Sequence, residues 1–312
     1  MDNNLLGEWL KEDTLAKALR DSNIGGISGR VVSLNTPKGD LVVKQGHYPE
    51  SYNARWEYAA LKFVQRVAPG VAPIPYFFDS DRNILISEKI SGQNPEVFDR
   101  GLVLNIAENL STIHSRILRQ SGVPGVERHD IYTPFERVKQ QADFLAEWFL
   151  KMNQYTRDEE LSSNLSSGAR EILNAAVSKP RAFATPGFVL THYDINPDNL
   201  FVQKPSKVIF IDWAQAYIAD PAMDIAKFFY KCELSKVQQE IFLRNYRIHL
   251  GEGELRERIM IYDSLVRLGS FCWRMRVLNE DVKKDNMKRY LRLGRIEDKL
   301  DNDIEFIRGS IK

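Results

Sequence analysis

Apolar residues change their spacing along this chain at about residue 90. Upstream, 30–34 and 41–44 are short strand-like runs rich in valine and leucine, and Thr36-Pro-Lys-Gly-Asp40 between them suits a hairpin turn. Residues 51–67 then repeat at helical spacing, with Trp56, Ala60, Phe63, Val64 and Val67 predicted on one face. Prolines between Pro69 and Pro75 interrupt the chain, and 75–78 and 83–87 predict two more strands. Ahead of all these, Leu5, Leu6, Trp9, Leu10, Leu15, Ala18 and Leu19 predict an early helix.

Beyond Ser91-Gly92 the helical period takes over. Val103, Ile106, Ala107, Leu110, Ile113, His114 and Ile117 form one stripe, and amphipathic stretches recur near 134–152, 158–178, 221–232, 235–249, 254–279 and 285–308. Only 189–212 breaks this pattern, as two strand-like runs around a polar loop. The fold class expected from this order is α+β with two lobes: a small β-rich lobe over 1–90 and a larger, mostly helical lobe over 91–312.

Composition narrows the picture. The 43 basic and 42 acidic residues nearly cancel, to a formal +1, so nothing argues for bulk attraction to nucleic acid or to a membrane surface. Residues 225–312 are slightly basic and the remainder slightly acidic. No run of 18 uninterrupted apolar residues occurs, so no transmembrane helix is expected. The start, MDNNLLGEWLKED, is acidic and amphipathic, unlike a secretory signal. Cys232 and Cys272 have no metal-type spacing and read as free thiols, so a cytoplasmic location is expected.

The candidate chemistry lies in VLTHYDINPDNLFVQKPSKVIFIDW, residues 189–213. An apolar run leads into His192-x-Asp194, Asn199 follows five residues later, and Asp212 closes the next apolar run, 208–211. A carboxylate on a tight loop, then an amide, then a carboxylate at a strand end is the arrangement phosphoryl transfer needs. Asp194 is the candidate base or hydroxyl-orienting group. Asn199 and Asp212 offer the hard oxygen donors that Mg²⁺ prefers, and His192 is expected to brace the loop. A polar turn after a strand would carry some of the same residues, and Asn196-Pro197-Asp198 does read as a turn.

Upstream, Lys44 ends a strand-like run and Glu57 lies in the predicted helix after it, the pairing that positions nucleotide phosphates; a surface ion pair would look the same. Gly25-Gly26-Ile-Ser28-Gly29 precedes the first strand, where glycine backbone and the Ser28 hydroxyl can approach phosphate oxygens. His114 lies on an apolar stripe and reads as a core histidine with one hydrogen bond, and Trp213 as core.

With these residues in place the chain resembles the aminoglycoside phosphotransferase and choline kinase-like family, relatives of the protein kinases. The resemblance runs from about residue 20 to 230 and rests on His192, Asp194, Asn199 and Ile211-Asp212-Trp213, with Asp220-Pro221-Ala-Met-Asp224 following. It implies a two-lobed protein-kinase-like fold and an enzyme moving the γ-phosphate of ATP, with Mg²⁺, to a hydroxyl of a small molecule. By resemblance Leu85-Ile-Ser-Glu88-Lys-Ile90-Ser-Gly92 is the hinge, where backbone groups of Glu88 to Ile90 hold the purine edge. Asp224 is expected to brace the catalytic loop without doing chemistry. Tyr193 and Asp198 depart from the family by standing where glycine is common. Amino alcohols, sugars and aminoglycosides all remain open as acceptors, the last disfavoured by the basic C-terminal part. A non-catalytic nucleotide-binding module and a protein Ser/Thr kinase are the other readings.

Overall fold

The computed structural model describes residues 29–36, 39–46, 53–118, 134–156, 159–183, 187–203, 207–248 and 252–279. The predicted helices at 5–19 and 285–308, and the glycine-rich turn with Ser28, lie outside these.

Four strands open the described chain: β1 (Gly29–Thr36), β2 (Gly39–Gly46), β3 (Pro75–Asp79) and β4 (Ile84–Glu88). They form one antiparallel sheet in the order β1-β2-β4-β3. The pleat sends Leu41 and Val43 to one face, where they pack with Ile84 and Ile86 and with the partly buried Val32, Leu34, Tyr76 and Phe77. Val42 and Lys44 alternate to the opposite face.

Helix α1 (Ala54–Val67) begins at Asn53, whose side chain accepts from the Arg55 and Trp56 N–H groups, and ends before Pro69. Its buried stripe is Ala54, Glu57, Ala60, Leu61 and Val64. The expected face is therefore rotated: Trp56, Phe63 and Val67 are only half-buried. The reason is electrostatic, since the carboxylate of Glu57 has partners inside and turns inward with its helix.

Helix α2 (Arg100–His114) is capped by Asp99, which accepts from the Leu102 N–H at 2.8 Å, and buries Leu102, Val103, Ile106, Ala107, Leu110, Ile113 and His114. The stripe stops at His114, leaving Ile117 half exposed.

Where the sequence predicts two strands over 189–212, the structure has three short ones, and a fourth follows at 217–219. β5 (Val189–Thr191) pairs with β8 (Tyr217–Ala219), and β6 (Leu200–Gln203) pairs with β7 (Lys207–Phe210). Three-residue strands such as β5 and β8 carry too few alternations to register as a period, and β6 follows the polar loop without a break. A single 3₁₀ turn, Pro197–Asn199, joins the loop to β6.

A second 3₁₀ turn, Trp213–Gln215, and helices α3 (Pro134–Thr156), α4 (Glu159–Val177), the one-turn α5 (Pro180–Phe183), α6 (Pro221–Lys231), α7 (Lys236–Asn245) and α8 (Glu252–Asn279) complete the described elements. α7 starts with a capping box, Ser235 and Gln238 each bonding the other's backbone N–H.

Two compact units result. One gathers the N-terminal sheet, α1, α2, the four short strands and α7; the other gathers α3, α4, α5 and α8. The small strand-rich beginning and the helical remainder make the chain α+β, as expected. The second unit packs α8 against α3 and α4, around Val138, Leu145, Leu165, Ala169, Ile259 and Tyr262. Arg258 is buried there and donates from Nη1 to the Ala182 carbonyl at 2.7 Å. Among the described residues no helix is long and apolar enough to cross a membrane.

Candidate active site

The N-terminal sheet and the β6–β7 hairpin, both in the first unit, bring the expected residues together. Lys44 Nζ donates to Glu57 Oε1 at 2.7 Å and to Asp212 Oδ1 at 2.8 Å, linking β2, α1 and the residue after β7. The surface ion pair that the sequence left open is thus excluded for Glu57, which is 2% exposed. Glu57 Oε1 also accepts from the Trp213 N–H at 3.2 Å. Burial pushes the Lys44 ammonium toward a lower pKa, but Glu57 and Asp212 outweigh it and hold the pKa above its ordinary value. Burial likewise acts to raise the Asp212 pKa, and Lys44 overrides it, keeping the carboxyl below its ordinary 3.8. Lys44 and Asp212 are therefore charged across the neutral range. The two carboxylates differ in access, because the Asp212 side chain is 48% exposed and can take a further partner.

Asn199 is held next to Asp212 by the hairpin register. Leu200 pairs with Phe210, and one position further the Ile211 N–H donates to the Asn199 carbonyl at 2.9 Å. Asn199 Nδ2 donates to both the Asp194 carbonyl, 2.9 Å, and Asp194 Oδ2, 3.0 Å. This fixes the amide orientation and turns Oδ1 away from Asp194. Asn196 shapes the turn between them: its Oδ1 accepts from the Asp198 and Asn199 N–H groups, and its Nδ2 donates to the Asp194 carbonyl.

His192 braces the loop. Its Nε2 lies 2.8 Å from the Ile211 carbonyl, which only accepts, so the proton is on Nε2 and Nδ1 receives the Asp194 N–H at 3.3 Å. The ring lies 4.6 Å from Trp213, centroid to centroid, and Trp213 is core, 1% exposed.

Beneath the loop, Asp224 Oδ2 accepts from the His192 N–H at 2.7 Å and Oδ1 from the Tyr193 N–H at 2.8 Å. His114 Nε2 lies 3.3 Å from Asp224 Oδ2, and its Nδ1 lies 2.8 Å from the Tyr246 hydroxyl. His114 thus has two polar partners rather than the one expected, and Asp224, His114 and Tyr246 form a buried chain from α6 through α2 to the end of α7.

Two of the four non-glycine residues with positive φ among the described residues lie in this site, Tyr193 at +67° and Asp212 at +63°. This explains why a glycine suits the position of Tyr193, since a left-handed conformation costs an L-residue about 1–2 kcal/mol. The Tyr193 ring lies 6.1 Å from that of Tyr217, a contact that offsets part of the cost. Tyr193→Gly is expected to change stability by less than about 1 kcal/mol, relief of strain balancing lost packing, whereas Tyr193→Val should cost about 1–3 kcal/mol because a β-branched residue tolerates positive φ poorly. Urea unfolding of the three proteins checks the order, and Val as stable as Gly would contradict it.

Of the remaining expected residues, Gly29 opens β1 opposite Gly46, and Ser28 lies outside the described residues. Glu88 ends β4; its N–H donates to the Ile74 carbonyl at 2.8 Å and its Oε2 accepts from the Ile74 N–H at 3.1 Å. The Lys89 N–H donates to the Asp40 carbonyl at 3.0 Å, and Ile90 follows, half-buried. The Asp198 side chain is on the exposed side of the 3₁₀ turn. Asn196 is the residue of the turn expected at Asn196-Pro197-Asp198. Asn94 and Tyr246 escaped the sequence reading, because they meet their partners only through the fold.

The oxygen donors present suit a hard cation. Asn199 Oδ1 and the exposed side of Asp212 offer two ligands, and among the described residues no cluster of three or more His, Cys, Asp or Glu could hold a metal. Two protein oxygens are the kind of contribution Mg²⁺ takes, its octahedron otherwise filled by phosphate oxygens and water.

Residues 22–260 match the phosphotransferase enzyme family, and the chain belongs to it. It is a small-molecule phosphotransferase with the kinase-like fold. Among solved structures, it is similar to choline kinase LicA from Streptococcus pneumoniae, with 21% identity over 94% of this chain and 98% of that one, at a TM-score of 0.56. A choline/ethanolamine kinase family protein from Mesorhizobium loti matches over 99% of both chains with 18% identity and a TM-score of 0.62. Spectinomycin phosphotransferase APH(9)-Ia, solved with ADP and spectinomycin, matches over 92% of this chain and 90% of its own, with 11% identity and a TM-score of 0.59.

Proposed function

We propose that the chain transfers the γ-phosphate of ATP to a hydroxyl of a small molecule, an amino alcohol, sugar or aminoglycoside-like compound, with Mg²⁺. The observation that carries this reading is the Lys44 ammonium held between Glu57 and Asp212, with Asn199 and Asp194 on the adjoining loop. The similar structures solved with ADP and spectinomycin, or with AMP, support a nucleotide and a small acceptor.

The roles proposed are these. Residues 1–90 form the nucleotide-binding part, and 91–312 the catalytic and substrate-binding part. Gly29, at the start of β1, is assigned to the phosphates, and Ser28 is assigned with it on the sequence pattern alone. At the hinge, the Glu88 and Lys89 N–H groups are engaged within the sheet, so the Ile90 N–H is the donor offered to the purine edge. Glu57 aims Lys44, whose ammonium neutralises phosphate charge; Asn199 and Asp212 are the residues that would hold Mg²⁺, which when bound would draw charge off the phosphate oxygens. Asp194 accepts the acceptor's hydroxyl proton as the new O–P bond forms and ADP departs, with Asn199 Nδ2 keeping Oδ2 in place. The work is positioning and charge neutralisation, in a loop already fixed by Asp224 and His192.

Asp212→Ala should weaken ADP binding in Mg²⁺ by at least about 100-fold while leaving metal-free ADP affinity within a few-fold, since Lys44 keeps Glu57. Calorimetric titrations with and without Mg²⁺ measure both. Unchanged affinity in Mg²⁺ would remove Asp212 from the ligand set.

A further inference from the structure

The connector after β4 does more than join two parts of the chain. Asn94 Nδ2 lies 3.1 Å from the Pro197 carbonyl, 3.0 Å from that of Asp198 and 2.9 Å from that of Leu200. One side-chain amide thus gathers the carbonyls on both sides of Asn199. It is aimed by a backbone bridge one residue earlier, where the Gln93 N–H donates to the Val202 carbonyl at 3.2 Å and the Val202 N–H returns to the Gln93 carbonyl at 2.8 Å. Gln203 Nε2 adds a bond to the Ser91 carbonyl at 2.9 Å. Gly92 permits the approach: its φ is +150°, and a Cβ there would lie 2.9 Å from the Val202 carbonyl oxygen.

We propose that Asn94 is a positioning residue that sets the orientation of Asn199, and so ties the segment carrying the purine edge to the metal-binding amide. This rests on the role given above to Asn199. The chemistry explains why an amide is needed. Three carbonyls converging on one point repel one another unless a donor sits between them, and an Asn NH₂ offers two N–H groups that they share. A carboxylate of the same shape at this place offers only acceptors and repels all three. The carbonyls of Asp198 and Leu200 bracket the Asn199 residue, so their positions fix its backbone, while Asn199 Nδ2 on Asp194 fixes its side chain.

The test uses the full chain, wild type beside Asn94→Ala, Asn94→Asp and Gly92→Ala. ADP affinity is measured by calorimetry over a series of Mg²⁺ concentrations, and hydrogen exchange of the amides at 198–200 is followed without nucleotide or metal. For Asn94→Ala, metal-free ADP affinity is expected within about twofold of wild type, while the Mg²⁺ needed for half of the gain in affinity rises about tenfold, the size usual for a group that orients a metal ligand. Exchange at 198–200 should quicken. Asn94→Asp, which keeps the shape and loses the donor, should shift the Mg²⁺ requirement further still, and Gly92→Ala should shift it in the same direction. An Asn94→Asp protein with wild-type Mg²⁺ dependence overturns the proposal, as does an Asn94→Ala protein that loses metal-free and metal-bound affinity equally. If Mg²⁺ does not affect ADP binding by the wild type, the role of Asn199 itself falls and the proposal with it. The wild-type titration and the variant titrations therefore separate the two failures.

Discussion

Asp194→Asn is expected to bind Mg·ATP within about threefold of wild type and to turn over about 10²–10⁴-fold more slowly. The two halves of that result have separate causes. An amide oxygen at the same place still accepts from Asn199 Nδ2, so the loop and the Asn199 side chain keep their arrangement. The Asp194 backbone also keeps its bonds, its N–H to His192 Nδ1 and its carbonyl to Asn196 and Asn199. What is lost is the negative oxygen that takes a proton. A loss seen only in turnover marks a group that acts in the transition state rather than in binding. Steady-state kinetics alongside calorimetry separates the two. An Asn variant with most of its turnover would remove Asp194 as the base.

Asp224→Ala is the second change with a large expected effect, on folding as well as on rate. It strips the acceptors from the His192 and Tyr193 N–H groups and from His114 Nε2 at once, in a place where Asp224 and His114 are both fully buried. Breaking such a buried, hydrogen-bonded arrangement costs about 3–5 kcal/mol. The same loss frees Tyr193, whose positive φ persists only because its surroundings impose it. Once the loop relaxes, Asp194 moves with it, and turnover should fall even at temperatures where the protein stays folded. Chemical denaturation gives the stability, and kinetics on the folded fraction gives the rate. A variant of wild-type stability would show that water replaces the carboxylate, and would contradict its bracing role.

The elements that carry chemistry were the most legible in the sequence, for physical reasons. Lys44 follows an apolar strand run, and Glu57 lies in the next helix; the structure joins them at 2.7 Å. His192, Asp194 and Asn199 lie close in sequence, so local geometry alone keeps them close in space. Helix α2 was readable because seven of its residues face the interior at one period. The face of α1 was misjudged because apolar periodicity counts a buried glutamate as a surface residue. β8 was missed because three residues hold no period, and its place is set by pairing with β5, which lies far away in sequence. Asn94 lies about a hundred residues from the carbonyls it gathers, and nothing local marks it. Tyr193 was recognised as a departure, but only the backbone angle shows that its position is a conformational one.

The most direct measurement is ³¹P NMR of the protein with Mg·ATP and a mixture of amino alcohols, sugars and aminoglycosides, with a parallel sample in EDTA. A phosphomonoester signal growing with ADP is expected in the Mg²⁺ sample, absent in EDTA and about 10²–10⁴-fold slower to appear with the Asp194→Asn protein. An ATP spectrum unchanged by the protein, together with no Mg²⁺-dependent ATP binding by calorimetry, would contradict it.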